Sequence, residues 1–356
     1  MKNTVLFYFL IATLFVGCSK DEIHNTLSTS NNSFEDGWLV PLEDLRLSET
    51  GKDRIPSIDN PGFATKELLD IDPNETVYVY REGDTIKVYP QSVISGHEIV
   101  NDKIGDNYFA ISYCPLTGSA LSWDREIDGT ITEFGVSGHL YNDNLIPYDR
   151  NSNNMWSQMH LNRIKGNTGE SKLVSNMLLT TNWRTINSSF PDALVLVDSS
   201  GHICNDSICV NPNHVSNEKE GVITNVASGY SFGIVNNGIS NGGLGAMLMN
   251  YDNFTDSVSV ITTYFRNNEL IIIGSRYHQF IVAFINNSGN SNTKFQPLQN
   301  KLPLIFFDNM GNEYDITGKI VFGPDIGKRL SSPISYWAHS IAWGAFYDDN
   351  IVFLED

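Results

Sequence analysis

Apolar and β-branched residues in this chain gather in short runs separated by turn residues, and few stretches keep a helical period. The runs 76-TVYVY-80 and 85-TIKVY-89 flank 81-REGD-84 and predict a hairpin. Further strands are predicted at 108-YFAISY-113, 130-TITEF-134, 258-VSVITTYF-265, 269-ELIIIG-274, 279-QFIVAFI-285 and 304-LIFFD-308. Helices are predicted at 65-TKELLD-70, 90-PQSVISGH-97, 181-TNWRTINSSF-190 and 335-SYWAHSIAWGAF-346, with Thr181 and Ser335 as caps. Many strands with few short helices give a strand-rich α+β fold class.

The first residues have a different pattern. Lys2 precedes an apolar run from Val5 to Val16, followed by Gly17-Cys18. That is the layout of a bacterial secretory signal, and the run is short of the ~20 residues a membrane span needs. The junction resembles a lipoprotein signal, with lipid expected on Cys18 and residues 1–17 removed; an ordinary cleaved signal is the alternative. The following 19-SKDE-22 looks like the export signal of surface lipoproteins in Bacteroidetes-type bacteria. The expected location is therefore the outer membrane or cell surface, with the membrane as partner through the lipid. Residues 18–61 begin with polar, broken sequence and read as a tether.

The charge balance is 23 Lys+Arg against 41 Asp+Glu, a net −18. This excludes nucleic acid as a partner, since phosphate backbones are bound by basic surfaces. Of the four cysteines, Cys204 and Cys209 bracket 204-CNDSIC-209 and read as a disulfide outside the cytoplasm. With Cys18 lipidated, Cys114 is the odd thiol.

A weak internal repeat compares 164-IKGNTGESKLVS-175 with 321-VFGPDIGKRLSS-332, each leading through a Trp-containing segment into Phe-x-Asp. The expected organisation is two related lobes, 62–213 and 214–356, the second degenerate because it lacks a cysteine at the corresponding place.

Several motifs stand in a fixed order: 97-HEIVND-102, 113-YCPLTGSALSWDR-125, 134-FGVSGHLYNDNLIPYDR-150 and 156-WSQ-158. Together they resemble the bacterial family called domain of unknown function 3179. The resemblance covers about 75–200 well and 270–350 loosely. The family has no established activity, but the selenocysteine attributed to some members implies redox chemistry, carried over here to Cys114 alone. Members often have a second cysteine three residues on; this chain has Thr117 there, so a two-cysteine cycle within the turn is absent.

Three readings stay open. In the first, Cys114 is a reactive thiol of a thiol-dependent oxidoreductase, activated by Thr117 and neighbouring N–H groups, with His97, Asp149 and Arg150 lining the site. In the second, the protein is a non-catalytic surface module binding a small molecule or a protein partner. In the third, Cys114 and His97 hold copper or zinc. Each residue also has a plainer role: Cys114 as a packed core residue, His97 at a helix end, and Asp149 with Arg150 bracing a loop. The sequence names no cofactor. His97 lacks the second His of a zinc-protease helix, and Ser137 lacks the glycine of a nucleophile elbow.

Overall fold

The computed structural model describes residues 37–49, 51–166, 171–197, 229–237, 244–286 and 292–354, all within one compact unit, Phe34–Asp356. The chain is strand-rich, with three α-helices among the described residues. None of them is long and apolar enough to cross a membrane.

The predicted hairpin forms from β2 (Thr76–Glu82) and β3 (Thr85–Pro90), in register at Val79↔Val88. Its run of apolar residues is continuous because both faces of the sheet are covered. Val77 and Val79 enter one core, and Tyr78 and Tyr80 enter another on the opposite face. This sheet has the order β9-β2-β3-β10-β1, where β1 is Gly62–Thr65, β9 is Leu179–Asn182 and β10 is Leu194–Val197. The one-turn helix α1 (Gln91–Ile94) leads from β3 into a meander of β4 (Ile99–Ile104), β5 (Asn107–Cys114) and β6 (Ser119–Asp124). A second meander arm pairs β7 (Phe134–Tyr141) with β8 (Asn144–Asp149). Helix α2 (Trp183–Ser189) joins β9 to β10, which lies parallel to β3.

A similar order of pairings occurs beyond residue 229. β11 (Tyr230–Asn237) and β12 (Leu244–Met249) form a hairpin, and β13 (Ser259–Phe265), β14 (Asn268–Ser275) and β15 (Phe280–Ile285) form a meander. Helix α3 (Ser340–Tyr347) joins β16 (Ser335–His339) to β17 (Ile351–Phe353), which lies parallel to β12. Two pairs of backbone bonds correspond. Arg125 N–H reaches Tyr108 O and Asn286 N–H reaches Glu269 O, both at 2.9 Å. Leu173 N–H reaches Leu161 O and Leu330 N–H reaches Gly318 O. The cores are shared: Trp123 and Trp156 pack in one cluster with Trp343, and Val88 packs in another with Ile271.

Some helix boundaries differ from the sequence expectation. Residues 335–339 are strand because they pair with Tyr230–Ile234, so the helix begins at Ser340. Asn182, not Thr181, caps α2 by accepting the Thr185 N–H; Thr181 lies in β9. The segment 65–70 holds only the end of β1 and the 3-10 turn Lys66–Leu68. Thr130–Ile131 pair with Glu126–Ile127 in a separate short ribbon.

Candidate functional site

Cys114 ends β5, and the turn 115–118 returns the chain into β6 with Cys114 opposite Ser119. Gly118 has φ +64, and a Cβ there would lie 2.7 Å from the Tyr230 ring. Glycine is therefore required both by its backbone conformation and by the close approach of β11. The other half of the molecule holds this turn: His339 N–H donates to Thr117 O at 2.9 Å, and the Tyr230 hydroxyl donates to Gly118 O.

The Cys114 side chain is 1% exposed. Leu145 N–H points at Sγ over 3.4 Å, and the Thr117 side chain and backbone lie close enough to act on the thiol. Sγ itself lies 3.9 Å from Asp143 O. Burial pushes the thiol above its ordinary pKa, against the lowering effect of Thr117 and Leu145; Glu98 adds to the rise. The sulfur is thus a packed group surrounded by donors, one side of which belongs to the β7–β8 hairpin.

Beneath the turn lies a buried polar network. Asn144 Nδ2 donates to Gln158 Oε1 at 2.7 Å, Thr117 Oγ1 at 2.9 Å and Ser119 Oγ at 3.1 Å. Gln158 Nε2 donates to Ser112 Oγ at 2.9 Å, and Ser119 Oγ donates to Gln158 Oε1 at 2.7 Å. Buried amides need such partners, and here the partners fix the turn.

The other sequence candidates are placed as follows. His97 is half-buried, with Nδ1 2.8 Å from Pro56 O. Arg150 binds Asp59 at 2.7 Å, Glu133 at 2.9 Å and Ser57 at 2.9 Å, with Asp53 at 3.6 Å, and so ties segment 53–59 to the β7–β8 hairpin. Burial would raise the Asp59 carboxyl, but hydrogen bonds from Arg150, Ser57 and Asn101 hold it below its ordinary range. Asp149 is buried and accepts from Ser152 N–H and Oγ at 2.7 Å and from Trp156 Nε1 at 3.1 Å. Arg125, which ends the motif 113-YCPLTGSALSWDR-125, donates to the Thr132 and Asp102 carbonyls. Thr117 therefore meets Cys114, while His97, Asp149 and Arg150 each hold partners of their own. Among the described residues no group of three or more His, Cys, Asp or Glu is arranged to hold a metal. Cys18, Cys204 and Cys209 lie outside the described residues, as does the tether's first part.

Sequence reasoning passed over Glu98 and Asn144 as parts of this site; Gln158 stood in the motif 156-WSQ-158. Glu98 has φ +59, its carbonyl accepts Tyr113 N–H at 2.8 Å, and burial raises its carboxyl to about 7. The available signal was a carboxylate placed directly before the apolar pair Ile99-Val100.

Two surface openings lie elsewhere. A cavity of about 100 Å³ is lined by Arg81, Glu82, Asn176, Thr317 and Arg329. A groove of about 650 Å³ runs between β13 and β17. Residues 52–206 match the model of a family described as "Protein of unknown function (DUF3179)". No curated protein and no solved structure matches the chain.

Proposed function

We propose, for a chain whose residues 52–206 belong to the DUF3179 family, that it is a non-catalytic surface module binding a partner, and not a thiol enzyme. The observation that carries this reading is the state of Cys114. A thiol acts as a nucleophile only as a thiolate that its substrate can reach. Here the side chain is 1% exposed and burial raises its pKa. Above pH 7 the ionised Glu98 opposes the thiolate further. The surrounding hydrogen bonds have a structural use, since they clamp the turn 115–118 against β7–β8 and against the other half of the molecule. Attachment to the outer membrane or cell surface through lipid on Cys18 belongs to the same proposal and rests on the signal at residues 5–18.

The test is an assay of the full chain for consumption of hydrogen peroxide with dithiothreitol as reductant. Wild type and Cys114→Ser should give the same background rate. A peroxide-consuming rate present in wild type and lost in Cys114→Ser would overturn the reading.

A further inference from the structure

Among the described residues the two halves differ at one sheet edge. In the first half β10 pairs with β3 on one side and with β1 on the other, at Leu194↔Thr65, Val195↔Ala64 and Leu196↔Phe63. Upstream of β1, Ile58 pairs in parallel with Val100 of β4, giving its N–H to Ile99 O at 2.9 Å and taking Asn101 N–H at 2.8 Å. Residues 58–65 thus lie as one strap across the mouth between β4 and β10. In the second half the corresponding strands are β13 and β17. Among the described residues both are edge strands, and the groove of about 650 Å³ lies between them.

The ladders can be matched residue by residue. Leu194↔Lys87 and Val195↔Val88 correspond to Val352↔Met247 and Phe353↔Leu248. Val195 is fully buried, whereas Phe353 is 71% exposed, Val352 46% and Tyr264 67%. Unpaired strand edges beside exposed apolar side chains are a template for another strand. In the first half Lys87 Nζ sits 4.1 Å over the Phe63 ring, which also meets Tyr89 edge-on. Met247 stands in the place of Lys87, so the same position in the groove offers a thioether to an apolar or aromatic side chain.

We propose that this groove binds an extended segment of a partner polypeptide, added antiparallel to β17 as β1 is added to β10. This rests on the binding-module reading above and gives it a site and a ligand class. The segment carries a large apolar residue over Met247, flanked by small residues that leave room for Phe353. Main-chain bonds to the strand edge supply affinity and the apolar residue supplies selectivity. The chain itself contains 221-GVIT-224, similar to 62-GFAT-65, but only residues 225–229 link it to Tyr230. Reaching the start of β11 from the place that corresponds to Thr65 spans three strand spacings and four rises, about 20 Å. Six fully extended steps cover about 20–22 Å. The first half spends the eleven steps from Thr65 to Thr76 on the same route.

The test uses a fluorescent peptide of sequence 56-PSIDNPGFATK-66 and the full chain, read by anisotropy. Saturable binding is expected, weakened at least tenfold by Phe353→Lys. Ile341→Lys, at another exposed apolar position, should leave it unchanged. Absence of saturable binding, or equal binding by Phe353→Lys, overturns the proposal. A dimer that Phe353→Lys converts to monomer assigns the groove to a second copy and also overturns it. Binding that appears only when residues 221–224 are replaced by Gly and Ser does the same in favour of the chain's own segment. These outcomes are independent of Cys114, whose reactivity is read by the peroxide assay.

Discussion

Replacing Glu98 by glutamine tests the electrostatics around the buried thiol. Burial raises this carboxyl from an ordinary 4.5 to about 7. A raised carboxyl pKa means that the folded state holds its proton more tightly than the unfolded state does. Between pH 4.5 and about 7 the unfolded chain has released that proton while the folded chain keeps it, so stability falls as pH rises through this window. Above about 7 both states are ionised and the loss is complete. The two values set an upper bound of about 3.4 kcal/mol, and residual solvent contact reduces the expected effect to about 1–3 kcal/mol. A glutamine side chain carries no charge at any pH, so Glu98→Gln should match wild type at pH 4 and exceed it by this amount at pH 8. Urea denaturation of both proteins from pH 4 to 8 measures the difference. A gap that stays constant across this range, or a variant less stable than wild type at pH 8, would mean that burial of Glu98 does not raise its carboxyl pKa.

Other substitutions probe the packing that positions the site. Lys87→Met leaves buried Asp102 without the ammonium group 2.8 Å away and should cost about 3–5 kcal/mol in denaturant melts. Asn144→Ala removes the two N–H groups shared among Gln158, Thr117 and Ser119 and should cost about 2–4 kcal/mol; the same variant should speed hydrogen exchange in the turn 115–118. Gly118→Ala places a methyl group 2.7 Å from the Tyr230 ring at a left-handed backbone position, so a loss of about 1–3 kcal/mol is expected; a thermal midpoint equal to wild type would contradict the described contact between turn and β11.

The strand-rich class was legible because most strands announce themselves locally. The run 76-TVYVY-80 alternates between two cores, and its apolar character is unbroken for that reason. Where a strand's partner lies far away, local pattern misleads. The segment 335-SYWAH-339 carries helical spacing, but pairs with residues about a hundred positions earlier. The same distance hid the surroundings of Cys114. Its turn is visible in 113-YCPLTG-118, yet Leu145, Asn144 and Gln158 reach it only once β8 and the turn at 157–160 are folded against it. The motifs 97-HEIVND-102 and 156-WSQ-158 were visible as motifs, while Asn101 binding both the N–H and the carbonyl of Phe134 was not. The groove had no sequence signal of its own. It becomes visible only when the ladder of β17 is set beside that of β10, because what marks it is a strap present in one half and missing among the described residues of the other.

Labelling measures the state of the Cys114 thiol directly. The full chain is treated with a fluorescent iodoacetamide from pH 5 to 9, and labelled peptides are mapped so that Cys114 is read apart from Cys18, Cys204 and Cys209. Cys114 should label slowly in the native protein, with no midpoint below ~8.5, the free-cysteine value, and fast once the chain is unfolded in urea. Rapid native labelling with a midpoint well below that value would contradict this and return the protein to the thiol enzymes.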